Sequence, residues 1–418
     1  MVDVCDCASN WRIELTNLLT GATTHVVTPV SFEFQTAFME PGRGSITFHR
    51  RGTEAVFSSG FVPADRMFPA TTGIFFSRIH GGRATPNQPV HMFGGFVETM
   101  QANSDGLVTL GFAEMQKYLD YRMVRTDLVF EDESQLSIGA NLVLYARGEN
   151  FAGGSVDDAP ALGIPLIGGF GTSAINRDRT YLGSERPFIG ELLRNLTQVI
   201  DGPVYTVDHH RNAGPIPGLT ENWYTELGFS DTWLQTFPAP VVAWHHVEDF
   251  AVNVDMNEIA NQVDAIGEPD ADGNPLIYSA DSPTPFNPRY DAAPSFSGVT
   301  NIPTLNQHAF GYQQDHMFQA SNLQLFFAGL DYGQAAGGRT LSIDDLRPGD
   351  AINIDLEAPN WIIRGGPDLP QFGTVTPRIG RLSVSAPQEG VERVTAQVIV
   401  DEYPTSFLGS TPDDCVDC

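Results

Sequence analysis

Ser31-Phe32-Glu33-Phe34-Gln35-Thr36-Ala37-Phe38 decides how the first third of this 418-residue chain is read. Phe32, Phe34 and Phe38 alternate with Ser31, Glu33, Gln35 and Ala37, the period-two pattern of a strand with one apolar face. Ile46 and Phe48 continue the pattern beyond Pro41-Gly42-Arg43-Gly44, which reads as a turn, and Val108, Leu110 and Phe112 repeat it after Asp105-Gly106. Short alternating runs separated by turns predict an antiparallel barrel or sandwich. Met115, Tyr118, Leu119 and Arg122 then sit at helical spacing and predict a short helix.

Residues 131 to 180 are Gly-rich and read as long loops with one or two strands. Ile189, Leu192, Leu193, Leu196, Val199 and Ile200 form one stripe, with Pro187 in the first turn and Gly202-Pro203 as the exit, which predicts a helix over 187–201. A shorter helix is expected around Trp223, Tyr224 and Leu227. Alternation returns at Val252, Val254 and Met256. The prolines between 269 and 303 argue against regular structure there. Leu323, Phe326, Phe327 and Leu330 predict a helix over 321–331, and Ile352/Ile354, Leu382/Val384 and Val394 to Val400 predict further strands. The expectation is a mainly β chain with α insertions (α+β): a first β-rich domain over 1–130, a loop-rich α/β middle domain over 131–247, and a second β-rich domain over 248–418.

The chain carries 23 basic and 51 acidic side chains, a formal charge of −28. That balance argues against gripping nucleic acid or an anionic membrane, which needs basic patches. Lys117 is the one lysine, so a Schiff-base or phosphate-binding lysine has few candidates. The N-terminus shows no basic region followed by an apolar run, so no secretory signal or membrane anchor is expected, and folding in a cytoplasm is. The apolar run Phe237 to Trp244 is too short to span a bilayer and is broken by Pro238 and Pro240.

Motifs for chemistry are sparse. The acid pairs Glu131-Asp132-Glu133, Asp157-Asp158 and Asp344-Asp345 read as solvated loop residues. His209-His210 and His245-His246 would point to opposite faces of a strand, so neither pair is a natural two-ligand metal site. Gly168-Gly169-Phe170-Gly171 lacks the third glycine of a dinucleotide loop, and Asp270-Ala271-Asp272-Gly273-Asn274 lacks the distal glutamate of a calcium loop. The one constellation that stands out is Cys5-Asp6-Cys7 with Cys415-Val416-Asp417-Cys418. Cys5, Cys7, Cys415 and Cys418 supply four thiolates, enough for one structural zinc or an iron-sulfur cluster if the termini meet. Disulfides between the ends and free thiols are the competing states. Metal analysis of protein purified without added metal separates them: fewer than one zinc or iron per chain, with four titratable thiols, removes the metal site.

Taken in order, the segments resemble a minor tail protein of the tail-hub (baseplate hub) type of tailed bacteriophages, as in long-tailed phages of actinobacteria. Phe32-Glu33-Phe34 through Ser45-Ile46-Thr47-Phe48 is similar to that family's first barrel hairpin. Met92-Phe93-Gly94-Gly95-Phe96-Val97-Glu98 resembles the strand that re-emerges, and Tyr118-Leu119-Asp120-Tyr121-Arg122 the segment that closes the barrel. Ile189 to Ile200 with Asp201-Gly202-Pro203 resembles its middle helix, and Asn261 to Gly267 the strand opening a second barrel. Leu346-Arg347-Pro348-Gly349-Asp350 resembles a late turn, and Arg378 to Val400 the closing hairpin. The chain departs from the pattern in its Gly- and Pro-rich insertions around 139 to 180 and 269 to 303, and in its terminal cysteines.

The resemblance implies two antiparallel β-barrel domains flanking the α/β middle region, and a structural virion protein at the distal tail tip, assembled in the host cytoplasm. It implies a homotrimer that meets the distal tail protein, the tape-measure protein and receptor-binding or fibre proteins. It also implies a lining for the conduit through which DNA leaves, without specific nucleic-acid binding and without catalysis. The charge of −28 then predicts acids on the conduit wall, repelling phosphate. Two other classes compete: a tail-associated glycan-degrading enzyme, for which no acid/base spacing is evident, and a carbohydrate-binding host-recognition protein using Trp223, Trp233 and Trp244, tryptophans that core packing also explains.

Overall fold

A computed structural model of the chain describes residues 11–49, 54–55, 68–78, 89–148, 164–169, 171, 173–199, 201–212, 222–231, 241–243, 247–255, 260, 262–269, 273–281, 289–296, 298–316, 320–328, 334–335, 338–339, 346–355, 378–386 and 392–399. The first segment folds as β1 (Trp11–Asn17), β2 (Thr23–Val27), β3 (Pro29–Ala37), β4 (Glu40–His49), β5 (Glu54–Ala55), β6 (Thr72–Arg78), β7 (Val90–Ala102) and β8 (Leu107–Glu114). The stretch that opened the reading is β3. Only two residues separate it from its partner β4, so the hairpin turns at Phe38-Met39, with Met39 at φ 53. Pro41-Gly42-Arg43-Gly44 is therefore strand and not turn. Gly44 is needed there for close approach, since a Cβ would lie 2.3 Å from the Glu33 carbonyl and 2.6 Å from the Phe112 ring. The Asp105-Gly106 turn forms as expected, with Gly106 at φ 82. The short helix after it is a 3-10 turn over Met115–Tyr121.

The middle segment contains β9 (Leu128–Ser134), α1 (Gln135–Arg147), β10 (Leu166–Gly169), β11 (Asn176–Tyr181), α2 (Ile189–Thr197), β12 (Val204–Asn212), β13 (Asn222–Ser230) and β14 (Val241–Ala243). The expected helix over 187–201 is present as α2, burying Ile189, Leu192, Leu193 and Leu196. Two expectations are corrected. Residues expected to be loop form α1, whose Leu136, Ile138, Leu142, Val143 and Tyr145 are buried around most of its circumference. Such a helix leaves no polar stripe to announce it. Around Trp223 the structure has a strand, in which Trp223, Thr225, Leu227 and Phe229 alternate inward at period two.

The last segment contains β15 (Asp249–Asp255), β16 (Gln262–Pro269), β17 (Pro275–Asp281), β18 (Asp291–Ala292), α3 (Ile302–His316), β19 (Ala320–Ala328), β20 (Gln334–Ala335), β21 (Gly338–Arg339), β22 (Asn353–Asp355), β23 (Arg378–Ala386) and β24 (Arg393–Ile399). The helix expected over 321–331 is the strand β19. Its Leu325 and Phe327 are buried at period two, and it is bonded to β15 on one side and β24 on the other. The Pro-rich stretch is regular in part: β17 and β18 lie inside it and α3 starts at its end. Pro303 sits in the first turn of α3, where its missing N–H costs nothing, and the Asn301 side chain accepts the Thr304 N–H at 2.8 Å.

The chain is mostly β, as expected. Twelve strands form one sheet, in the order β15-β19-β24-β23-β3-β4-β8-β7-β6-β1-β2-β5. None of the sheets closes into a barrel among the described residues, and β23 pairs with β3, so strands from both ends of the chain share one sheet. One face buries Trp11, Phe32, Phe34, Phe76, Phe93 and Phe112 against Leu325, Val384 and Val398. The rings meet at centroid distances of 5.1–5.9 Å, mostly edge-on or tilted, in the Trp11–Phe34, Phe34–Phe93, Phe76–Phe93, Phe76–Phe112 and Phe93–Phe112 pairs. A second core joins α1, α2 and β13 to Phe75 and Phe96, and a third holds α3 against β16 and β17. No described helix is long and apolar enough to cross a membrane.

Candidate functional site

The chemistry expected of individual residues is absorbed by packing. His209 and His210 face opposite ways, as their strand position requires. His209 is buried, its Nδ1 3.0 Å from the Thr225 hydroxyl and its Nε2 3.5 Å from Glu114, while His210 stacks on Tyr224 at 4.8 Å near Glu226. Glu131, Asp132 and Glu133 lie on β9. There Asp132 accepts the Asn176 amide at 3.0 Å, and its own N–H donates to Asp178. Gly168 lies on β10 beside α1, where a Cβ would be 3.0 Å from the Ala140 Cα, so close helix-strand packing explains the glycine. Trp223 is buried, stacked on Phe75 at 4.5 Å, and its indole N–H donates to Glu14. No group of three or more His, Cys, Asp or Glu converges among the described residues in the manner of a metal site. Cys5, Cys7, Cys415, Cys418, Asp157-Asp158, Asp344-Asp345, His245-His246, Trp233 and Trp244 lie outside the described residues.

Buried charges join distant parts of the chain, and no sequence motif announced them. Glu392, just before β24, accepts the Trp11 indole N–H at 3.0 Å and pairs with Arg78 at 3.0 Å, both partners buried. Between the large sheet and β12–β13, fully buried Glu14 meets Trp223, Thr23 and Arg12, with Arg211 at 3.4 Å. Glu114 accepts the Gly42 N–H and the Gln116 amide, each at 2.9 Å. His91 lies in the same seam, within 2.9 Å of the Ser77 hydroxyl and edge-on to Trp223. Burial first, then the neighbouring His209 and Arg211, lowers its pKa to about 4, so it is neutral at pH 7.

What remains open is the part of the large sheet's opposite face that β12–β13 and the middle helices do not cover. A shallow trough of about 510 Å³ runs across β23, β3, β4, β8 and β7, bordered by Glu33, Gln35, Arg43, Ser45, Thr99 and Ser383. Thr47 and Thr109 bond each other across β4 and β8 at 2.9 Å, and Ser45 donates to Glu33 at 3.3 Å. Small hydroxyl and amide side chains dominate here, and both charge signs are present. The arrangement offers a smooth polar wall and no nucleophile-base pair.

Neither a protein-family model nor a curated relative matches the sequence. Solved structures do. The tail protein from Neisseria meningitidis MC58 superposes with a TM-score of 0.54 at 10% identity, over 94% of this chain and 97% of that one. The chain has a phage tail-protein fold. The 43 kDa tail protein of prophage MuSo2 from Shewanella oneidensis matches with a TM-score of 0.51 at 12% identity, over 93% and 98% of the two chains.

Proposed function

We propose that the chain is a structural, non-catalytic part of a phage virion, the hub at the distal tip of the tail. The observation that supports this reading best is the large sheet that gathers strands from both ends of a chain with the tail-protein fold, one face sealed and the other polar and open across β23, β3, β4 and β8. In this reading three copies form a ring, to which each copy contributes both of its β-rich halves. Among the described residues β15 and β5 are the outer strands of the sheet, and in this reading neighbours join there by strand addition. The distal tail protein and tape-measure protein meet one side of the ring, and receptor-binding or fibre proteins the other.

The bare face would line the DNA conduit. Glu33 and Glu98 stand there with Arg43 and Arg393, so the wall in this reading is mixed in sign and not acidic as the net charge predicts. Hydroxyls give a passing polyanion little to hold. Antibody-fragment labelling of intact virions in negative stain tests the placement. Label at the distal tip is expected; label on the capsid or along the tube overturns it. Light scattering of the purified chain with the distal tail protein should show trimers or rings, and only monomers would defeat the hub. A zymogram on host cell walls should stay uncleared.

A further inference from the structure

The unit of β16–β18 and α3 has its own small core and meets the middle region across a polar contact. β11 supplies one wall of that contact: Arg177, Arg179 and Tyr181 alternate on its inner side, while Asn176, Asp178 and Thr180 are exposed. The other wall comes from α3 and the turn before it. Arg177 donates to Gln307 on α3 at 2.6 Å and to Gln135 of the middle region at 2.7 Å. Gly298 lies over Thr180, where a Cβ would stand 3.9 Å from the carbonyl oxygen. His308, next to Gln307, is 2% exposed, stacks on Phe296 at 4.4 Å and lies within electrostatic reach of Arg179 and Arg177. Two polar atoms in this contact, Arg179 Nη2 and His308 Nδ1, are sealed from solvent and have no hydrogen-bond partner among the described residues.

The nearby acids are engaged elsewhere. Asp178 lies on the exposed side of β11, and its carboxylate accepts the Asp132 N–H at 2.8 Å. Asp201 and Asp231 stand at the Arg177 end, Asp201 accepting from Arg177 through its carbonyl at 3.2 Å and Asp231 accepting the Gln135 amide at 2.6 Å. Arg179 itself bonds the Asp178 carbonyl at 3.0 Å and Tyr181, so its guanidinium is withdrawn from water with no carboxylate bonded to it. Burial first, then the two arginines, lowers the His308 pKa to about 3, so the ring is neutral at pH 7 and carries one N–H. With that proton on Nδ1, His308 presents a donor, as Arg179 Nη2 does. A water would satisfy these hydrogen bonds and leave the buried charge of Arg179 uncompensated; a small anion does both. We propose that β11 and α3 hold a chloride ion between Arg179 Nη2 and His308 Nδ1, and that the ion clips the β16–β18 and α3 unit to the middle region. The site is independent of where the chain stands in a virion.

The test exchanges sodium chloride for sodium gluconate at constant ionic strength and pH 7, with the full chain unfolded in urea. The unfolding equilibrium constant of the wild type should fall with chloride along a saturating curve, about tenfold once chloride stands at about ten times its Kd. Arg179→Met and His308→Phe each remove one ligand and should lose this dependence, whereas a general salt effect persists in both. Chloride NMR line broadening reads the bound ion without unfolding; it is expected for the wild type and should shrink in both variants, with near-ultraviolet circular dichroism showing that they are folded. If a variant does not fold, bromide soaked into crystals of the wild type decides, and an anomalous peak within hydrogen-bond distance of both atoms is expected. A water at that place, or a chloride dependence equal in the wild type and both variants, overturns the site and leaves the tail-hub reading as it was.

Discussion

The two faces of the large sheet are built from the same strands, residue by residue, and differ in almost everything else. On β3 the inward residues are Phe32 and Phe34 and the outward ones Glu33 and Gln35; on β4 they are Ile46 and Phe48 against Ser45 and Thr47. The inward set is sealed by aromatic contacts and by the buried Trp11–Glu392–Arg78 group, which fastens the start of the chain to its last described strand. The outward set borders the open trough on β3, β4, β8 and β23, whereas on β1, β6 and β7 Glu14, Phe75 and Phe96 are buried under the middle segment. Across β3, β4, β8 and β23 packing is thus concentrated on the inward side, which leaves the outward side of those strands free of the core.

That contrast can be broken from the inside first. Phe76→Ala removes a fully buried ring that packs on Phe34, Phe93 and Phe112, and chemical denaturation should show a loss of about 3–5 kcal/mol. Glu392→Ala leaves the buried Arg78 guanidinium without its carboxylate and the Trp11 indole N–H without an acceptor. A comparable loss, about 3–5 kcal/mol, is expected at pH 7. If either variant unfolds within about 0.5 kcal/mol of the wild type, the sealed face is not where the stability lies.

The seam between the sheet and β12–β13 gives a smaller, pH-dependent effect. The folded-state pKa of His91 is about 4, below its ordinary value of 6.5, so folding favours the neutral ring. The contribution is complete above pH 6.5 and is lost as the pH falls from there toward 4, because the unfolded chain takes up the proton first. Between pH 7 and pH 4.5 the wild type should lose roughly 2 kcal/mol more than His91→Gln does, read from paired urea titrations. Equal losses would mean that the imidazole is not held neutral by the seam. His308, lowered to about 3 by burial, acts in the same direction from the α3 unit and serves as an internal comparison that His91→Gln leaves untouched.

How far the sequence revealed these features depended on whether each signal was local. The alternation in β3 and β8 was legible because one face is apolar and the other polar over several residues, and α2 was legible because its leucines make one stripe. α1 was not, since it is buried around most of its surface, and β19 was misread because Leu323, Phe326, Phe327 and Leu330 fit a helical stripe while Leu325 and Phe327 fit a strand. What selects the strand is pairing with β15 and β24, contacts as distant as Leu323 to Val398. The buried seam was invisible for the same reason: Glu14, Glu114, His209 and Trp223 are ordinary residues until the fold brings them together. Order and spacing of the segments pointed to a phage tail protein, whose fold the chain has.

The outward face is the subtlest place to test the contrast, because little should change in the folded chain. Gln35→Lys with Ser383→Lys places two cations on β3 and β23, where the register sets Gln35 opposite Ser383. Neither side chain is in the packed core, so the urea midpoint should move by no more than about 0.5 kcal/mol. In the conduit reading the consequence appears only in the virion. Each cation is repeated around the ring at the height where DNA passes, so ejection in vitro should slow, most steeply at low salt where phosphate-lysine attraction is least screened. If virions carrying the variant release DNA at the wild-type rate across the salt series, the bare face is not the wall. The polar trough would then have to be explained as a docking surface for another tail component.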